Sequence, residues 1–450
     1  MYFNSKGKEE RTYDAIVVGT GISGGWAAME LCKKGLKTLV LERGRMVRHG
    51  DYPYANLESW DLKYNNQLPR SVKDSHYYKL SRKDYVAKEN NVPFFCKDDE
   101  YPYTEKRKFD WIRGYQVGGR SITWGRQTYR HGDLDFTANA RDGVGIDWPI
   151  RYKDLAPWYD YAERFIGVSG QNDGLMQLPD GQYLPPMELN CVEKELQAGV
   201  AKHFKNRFVT PGRVAHLTAY DPTTHLGHRS ACKYRNKCMQ GCPFGAYFSS
   251  LSATLPVVEA TGNLTLLANS AVKEVLYDRE NKRATGVLVR DTTTGNDVEY
   301  FSRGPVFLNA STLNSTAILL ASKPAEHPNG IGNSSDQLGR NLMDHHHRVG
   351  ASAQFEGHEQ EYMKGRRPNG FYIPRFTNLG DRNSKRDYLR GFGYQGTAGR
   401  SNWMRGVREL DATIGKELKE YLITPGGWNM GMTGFGESLP NPENRVTLNN

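Results

Sequence analysis

The chain has 450 residues, 38% of them hydrophobic and 24% charged, which suits a soluble globular protein with room for two domains and a large cofactor between them. No apolar run approaches the ~20 residues of a membrane-spanning helix, so a membrane span is excluded. The 60 Lys and Arg against 50 Asp and Glu leave +10; this is either a solvated mixed-charge surface or an attraction for an acidic partner or anionic substrate, but the basic residues are scattered without aromatic pairing, which argues against nucleic-acid binding.

The first ten residues, MYFNSKGKEE, lack an apolar core and a small-residue cleavage site, so no secretory signal peptide is expected. The run DAIVVG (14–19) reads as a short buried strand. In ISGGWAAMELCKK, Ile22, Trp26, Met29 and Cys32 stand at helical spacing; Gly35 ends that helix, and KTLVLE (37–42) is a second buried strand. A strand-helix-strand unit of this length opens an α/β domain with a parallel sheet. From Met46 to Asp110 the chain is polar, Tyr-rich and weakly periodic, as in an extended excursion over a surface. Helices are expected over 153–168, 191–204 and 312–321. Between Leu264 and Asn309 apolar and polar residues alternate through several strands, with DTTTGND (291–297) as a hairpin turn. After Arg348, GFYIPRF and WNMGMTGF are short β-like runs.

The turn between the first strand and helix is GTGISG, with Gly19, Gly21 and Gly24 at G-x-G-x-x-G spacing. Glycines are required there because the chain turns tightly, the backbone approaches a pyrophosphate and the helix packs close to the strand. The helix N-terminus then faces the phosphates. Glu42, at the end of the second strand, is placed to accept the hydrogen bonds of a ribose diol, and it argues against a 2′-phosphate. The predicted dinucleotide contacts here are Gly19, Gly21, Ile22, Ser23, Gly24, Glu42 and Arg43. The segment VGGRSITWGRQTYR (117–130) adds Gly118, Gly119, Ser121, Thr123, Trp124 and Gly125, a density of small residues suited to backbone lying against a flat ring system.

Cys32, Cys96 and Cys191 stand alone and read as ordinary buried thiols. The other three cysteines, Cys232, Cys238 and Cys242, crowd into CKYRNKCMQGCP. Three thiols cannot pair off among themselves, so the segment is either one disulfide with a spare thiol or a ligand set. A structural zinc would need a fourth ligand, for which His225 and His228 are the nearby histidines. The run DHHH (344–347) invites a metal reading as well, although successive histidines point in different directions.

Together VVGTGISGGWAAMEL, VGGRSITWG, LTLLANSAVKEVLYD, FLNASTLNSTAILLAS and LGRNLMDHH resemble, in order and through most of the chain, the glucose-methanol-choline (GMC) family of FAD oxidoreductases. The resemblance implies an α/β fold: a Rossmann-like FAD-binding domain (11–45, 113–130 and 231–347) carrying a Cys-rich insertion. A discontinuous α+β substrate domain on a mostly antiparallel sheet would take 46–112, 131–230 and 348–450. It adds Val272, Ala310 and Asp344 to the FAD contacts. Relatives that attach FAD covalently carry a His in the Gly-Gly loop; Thr123 and Trp124 occupy that neighbourhood here, so non-covalent FAD is implied.

The C-x5-C-x3-C spacing and the Pro243 that follows resemble the insertion of cluster-bearing sugar dehydrogenases, which implies a 3Fe-4S cluster on Cys232, Cys238 and Cys242. Lys233, Arg235 and Lys237 would then offset the cluster's charge, meet an acidic partner, or simply belong to a solvated loop. The family's catalytic His with a His or Asn lies in a C-terminal segment that no stretch before Asn450 resembles, so the sequence is expected to be incomplete and no catalytic residue is named. The implied activity is oxidation of a sugar or glycoside hydroxyl, most closely as in glucoside 3-dehydrogenases that make 3-keto sugars, with gluconate or fructose as the alternative substrate. A flavin and iron-sulfur electron carrier or redox sensor is the non-catalytic alternative. A small accessory subunit and a cytochrome c or quinone acceptor follow as partners. The protein would either be exported to the periplasm beside that subunit or stay in the cytoplasm.

Overall fold

The computed structural model describes residues 10–83, 86–361, 370–380, 388–400 and 414–449. Residues 1–9 of the stretch read for a signal peptide, and parts of the 348–450 segment, lie outside them. The strands Ala15–Val18 and Thr38–Leu41 are buried at every position, as strands covered on both faces must be. They pair in parallel, Ala15 opposite Thr38. Leu264–Leu267 adds to the outer edge of Thr38–Leu41, and Val306–Leu308 to that of Ala15–Val18, closing a four-stranded, all-parallel sheet. The helix Ile22–Lys33 crosses between the first two strands and buries Ala28, Met29 and Cys32. It stops where Gly35 turns to a φ of +82° and donates to the Cys32 carbonyl, a conformation that costs a residue without a Cβ little.

A second sheet joins Ser270–Asp278, Arg283–Asp291 and Asp297–Ser302 as an antiparallel meander, with Thr12–Tyr13 parallel on its edge. Its second hairpin turns within DTTTGND: the Asp291 carboxylate accepts the N–H groups of Thr293 and Thr294, and Gly295 takes a φ of +76°. The third sheet is antiparallel throughout, in the order His345–Phe355, Trp428–Glu437, Gly393–Arg400, Phe371–Ile373 and Thr210–Pro211. Helix Cys191–His203 covers it, packing Val192 among Val209, Phe371, Trp428 and Met430. Glu193 is fully buried there; its carboxylate accepts the N–H groups of Asn190 and Ala398, tying the helix start to the sheet.

Helices Tyr152–Ile166, Cys191–His203 and Ser311–Ala321 fall within a turn of the predicted ranges. The stretch 46–110 departs from the expected bare excursion. It holds the helix Arg70–His76 and a small core of Tyr77, Leu80, Val86 and Phe95. Its apolar residues are spaced for short turns rather than for one long element, so periodicity did not show them. Among the described residues no helix is long and apolar enough to cross a membrane.

Candidate functional site

A cavity of about 620 Å³ opens at the carboxyl ends of the parallel strands, bounded by Val18, Leu41 and Asn309, where doubly wound sheets place ligands. Its volume lies in the usual range for cofactor sites. The G-x-G-x-x-G turn forms one wall, and each glycine has a separate reason. Gly19 has a φ of +105°, and a Cβ on it would meet the Asn309 carbonyl oxygen at 2.4 Å. A Cβ on Gly24 would sit 2.0 Å from the Gly19 carbonyl oxygen, so helix and strand approach more closely than any side chain allows. At Gly21 a Cβ meets nothing within 4 Å; since Gly21 itself lines the cavity, a side chain there would take up the approach to the helix N-terminus. The first turn of that helix carries no acidic residue, which leaves its positive end for an anion.

Glu42 is buried to 7% exposure on the cavity wall. Its Oε2 accepts the Thr20 hydroxyl at 2.6 Å and the Thr20 N–H at 3.3 Å, while Oε1 accepts the Gly44 N–H at 3.1 Å. A carboxylate offers about four lone-pair positions, so these contacts leave Glu42 one place for a ribose hydroxyl rather than the pair expected for a diol. Burial pushes its pKa above the ordinary carboxyl value, and the bonds from Thr20 and Gly44 oppose that rise. Thr20, which the motif reading passed over, also accepts the Gly118 N–H at 3.0 Å and so ties the two glycine motifs together.

Of the remaining predicted contacts, Ile22, Ser23, Arg43, Gly119, Ser121, Val272 and Ala310 line the cavity with Gly19, Gly21 and Glu42. Gly24, Gly118, Thr123, Trp124, Gly125 and Asp344 do not. Gly118 takes a φ of +89° against Leu251 and shapes the loop from behind. Thr123 is buried, and the Trp124 indole N–H donates to the Phe248 carbonyl at 2.9 Å. Asp344 is exposed and, among the described residues, accepts the adjacent His345 N–H. The rest of the DHHH run opens the strand His345–Phe355, with His345 and His347 set against Phe435.

The motif reading missed the wall from Trp111 to Tyr115. Arg45 and Gln116 form a parallel bridge, and a Cβ on Gly44 would meet the Tyr115 carbonyl oxygen at 1.9 Å. The Arg43 guanidinium lies 4.0 Å from the Tyr115 ring centroid. The local signal was Gly44 directly after the second strand, a glycine that only a distant backbone explains.

Cys232, Cys238 and Cys242 line one shared pocket with His216 and Tyr247, and all six cysteines are free thiols. The pocket is about 20 Å³, room for one water molecule, and among the described residues no three His, Cys, Asp or Glu side chains stand close enough to hold one ion. The fit to a metal centre therefore lies in the donors and in the charge around them, not in the volume. Arg126 and Arg229 are both buried to 6% exposure, and neither meets a carboxylate among the described residues. Arg126 reaches the Met239 sulfur at 3.8 and 3.9 Å and lies over the Tyr247 ring, 5.0 Å from its centroid, and among the described residues its Nε has no partner; Arg229 donates to the Gly245 and Phe165 carbonyls and leaves Nη2 unpartnered there. Buried, uncompensated cations are costly. Burial pulls Arg229 down to about 9, opposed chiefly by Cys242, while burial pushes the Cys232 thiol up to about 11.

Two of the three cations flanking the cysteines bond within the chain. Lys237 pairs with Glu58 at 2.7 Å, and Arg235 bonds Asn56 and the Ala55 carbonyl; they staple the loop to residues 55–58. Of the histidines proposed as fourth ligands, His225 accepts the Asp221 N–H and His228 stacks on His49, while the imidazole that reaches the thiols is His216. The Tyr247 hydroxyl donates to the Ile122 carbonyl at 2.6 Å, which joins the cysteine pocket to the loop that lines the larger cavity.

Comparison with known proteins covers both sites. The chain is 26% identical to the fructose dehydrogenase large subunit of Gluconobacter japonicus over 98% of its own length and 77% of that protein. It is 25% identical to the 2-methyl-1,2-propanediol dehydrogenase of Mycolicibacterium austroafricanum over 97% and 73%. Formate oxidase from Aspergillus oryzae has the same fold, with a TM-score of 0.53 at 15% identity over 98% of this chain and 75% of that one. A family model described as GMC oxidoreductase matches residues 13–347, from the first strand through the cysteine segment to the histidine run, and the chain belongs to this family of FAD-dependent oxidoreductases.

Proposed function

We propose that the protein is a dehydrogenase that oxidises a secondary hydroxyl of a sugar or glycoside, with C3 the favoured position and a 3-keto sugar the product. Its electrons go to an acceptor other than oxygen. The observation that carries this reading is the cysteine pocket: three thiols beside two buried guanidinium groups that no described carboxylate neutralises. An anionic centre held by Cys232, Cys238 and Cys242 would supply the missing charge, and a 3Fe-4S cluster, with three thiolate positions, matches the donor set. When bound, FAD supplies hydride acceptance and such a cluster supplies one-electron transfer.

The chain's own residues divide the remaining tasks. The Gly19–Gly24 turn and the helix N-terminus bind the pyrophosphate, Glu42 accepts one ribose hydroxyl, and Arg43 stacked on Tyr115 closes the wall. The Gly118–Gly125 segment offers no His, which supports non-covalent flavin. Removing the hydroxyl proton requires a general base, and we assign none among the described residues. The likeness to a protein named as a large subunit supports an accessory subunit with a cytochrome c or quinone as the electron sink, and export beside that subunit. The same likeness favours a second reading, in which fructose itself is the substrate.

The purified protein should release FAD on acid or heat treatment without proteolysis, and an anaerobic sugar panel should bleach the flavin. Oxidised protein should give a low-temperature EPR signal near g of about 2, the mark of a three-iron centre with an odd electron count. Protein prepared anaerobically with less than stoichiometric iron and no such signal would remove the cluster and the non-oxygen acceptor together.

A further inference from the structure

His216 is 1% exposed, lines the cysteine pocket and places its Nε2 3.7 Å from the Cys238 sulfur. That separation is within reach of a hydrogen bond to sulfur. Its other nitrogen, Nδ1, is buried with no partner. The backbone fixes the ring: His216 bridges Tyr247 across an antiparallel pair, its N–H reaches the Val214 carbonyl, and the Tyr247 ring lies 5.9 Å away. A neutral imidazole carries one N–H. If the proton were on Nδ1 it would be a buried donor with no acceptor among the described residues, an arrangement that is costly; on Nε2 it points at sulfur.

We propose that His216 is a positioning residue of the metal centre, donating its Nε2–H to the Cys238 thiolate and thereby raising the reduction potential of a cluster bound there. The inference rests on the cluster reading above. Hydrogen bonds to ligand sulfurs favour the more negative, reduced state. His216 thus biases the centre toward accepting an electron, and the sequence gives no hint of it, since His216 lies sixteen residues before Cys232.

The test uses the protein as its host encodes it, purified anaerobically as wild type, His216→Phe and His216→Gln. Iron content, EPR and a redox titration of the cluster are read on each. The Phe variant should keep its iron and shift to a lower midpoint potential, on the order of tenfold in the reduction equilibrium or about 59 mV for a one-electron couple. The Gln variant, whose amide keeps an N–H donor, should recover most of the shift. An unmoved potential in a loaded Phe variant overturns the inference alone. Loss of iron from both variants with flavin retained also overturns it, because the imidazole would then be a ligand or a packing support rather than a donor. Wild type without iron overturns the inference together with the cluster reading beneath it.

Discussion

The dinucleotide cavity and the cysteine pocket are joined through the Gly118–Gly125 segment, whose Ile122 carbonyl accepts the Tyr247 hydroxyl, and are built from opposite materials. The first is made of backbone. Its walls approach so closely that a Cβ on Gly19, Gly24 or Gly44 would meet a carbonyl oxygen at 1.9 to 2.4 Å, and its one strong acceptor, Glu42, is held by three hydrogen bonds from its own surroundings. The second is made of side chains, three thiols near two buried guanidinium groups that no carboxylate among the described residues meets. A backbone cradle stands ready before its ligand arrives; a pocket of mismatched charges, on the reading proposed above, would depend on its ligand for cohesion.

Placing a side chain in the cradle is the harshest way to break that contrast. Gly24→Val would drive a Cβ to 2.0 Å from the Gly19 carbonyl oxygen, with only backbone to yield. We expect essentially no flavin in the purified protein and a fold destabilised by more than the 1–3 kcal/mol of ordinary overpacking, about 3 kcal/mol or beyond; absorbance at flavin wavelengths and thermal unfolding check both. Cys238→Ser acts on the other pocket. Iron should be lost while flavin stays, and turnover with a cytochrome should collapse while the sugar still bleaches the flavin. Flavin lost alongside iron would show the two pockets to be one cooperative unit.

Glu42 sharpens the comparison with smaller effects. Glu42→Ala should weaken FAD binding by about 1–3 kcal/mol, the cost of an unsatisfied contact, which is roughly 5- to 150-fold in Kd. Its pH dependence has two opposed signs. Because burial raises the folded-state pKa above the unfolded value, the folded flavin-free protein holds the proton more tightly. That contribution to stability is fully present below the unfolded value of about 4.3 and is lost as pH rises through the raised one. Accepting a ribose hydroxyl favours the ionised carboxylate, so FAD affinity should fall as pH drops through the same window. Glu42→Gln should flatten both profiles, read by unfolding of the flavin-free protein and by flavin titration. The smallest effect belongs to Arg43→Ala, which removes the stack on Tyr115 and should cost about 0.5–2 kcal/mol of flavin affinity with iron unchanged.

This division also explains what could be read in the amino-acid order. The turn Gly19–Gly24, the strands around it and Glu42 were legible because each depends on neighbours within thirty residues and on a spacing that backbone geometry dictates. The hairpin at Asp291 and the helix Cys191–His203 were legible for the same reason. The wall at Trp111–Tyr115 was not, since only tertiary approach brings it to Gly44. The count and spacing of the three thiols were visible, but not Arg126, Arg229 and His216, which reach them from other parts of the chain. Of the basic residues beside the thiols, Arg235 and Lys237 bond residues 55–58.

The parallel sheet has a consequence for how the chain is made. Ala15–Val18 is a central strand, yet its second neighbour, Val306–Leu308, arrives only after most of the protein has been synthesised; Arg303 meets Asp14 across 289 residues. At ribosomal rates of roughly 5–20 residues per second the apolar edge of Ala15–Val18 stays open for on the order of 15–60 s. Such an edge is a template for other strands. The nascent chain therefore carries an unpaired strand edge through a defined interval, and synonymous codons that slow translation shortly before residue 306 should lengthen that interval and lower the yield of soluble protein without altering a single side chain.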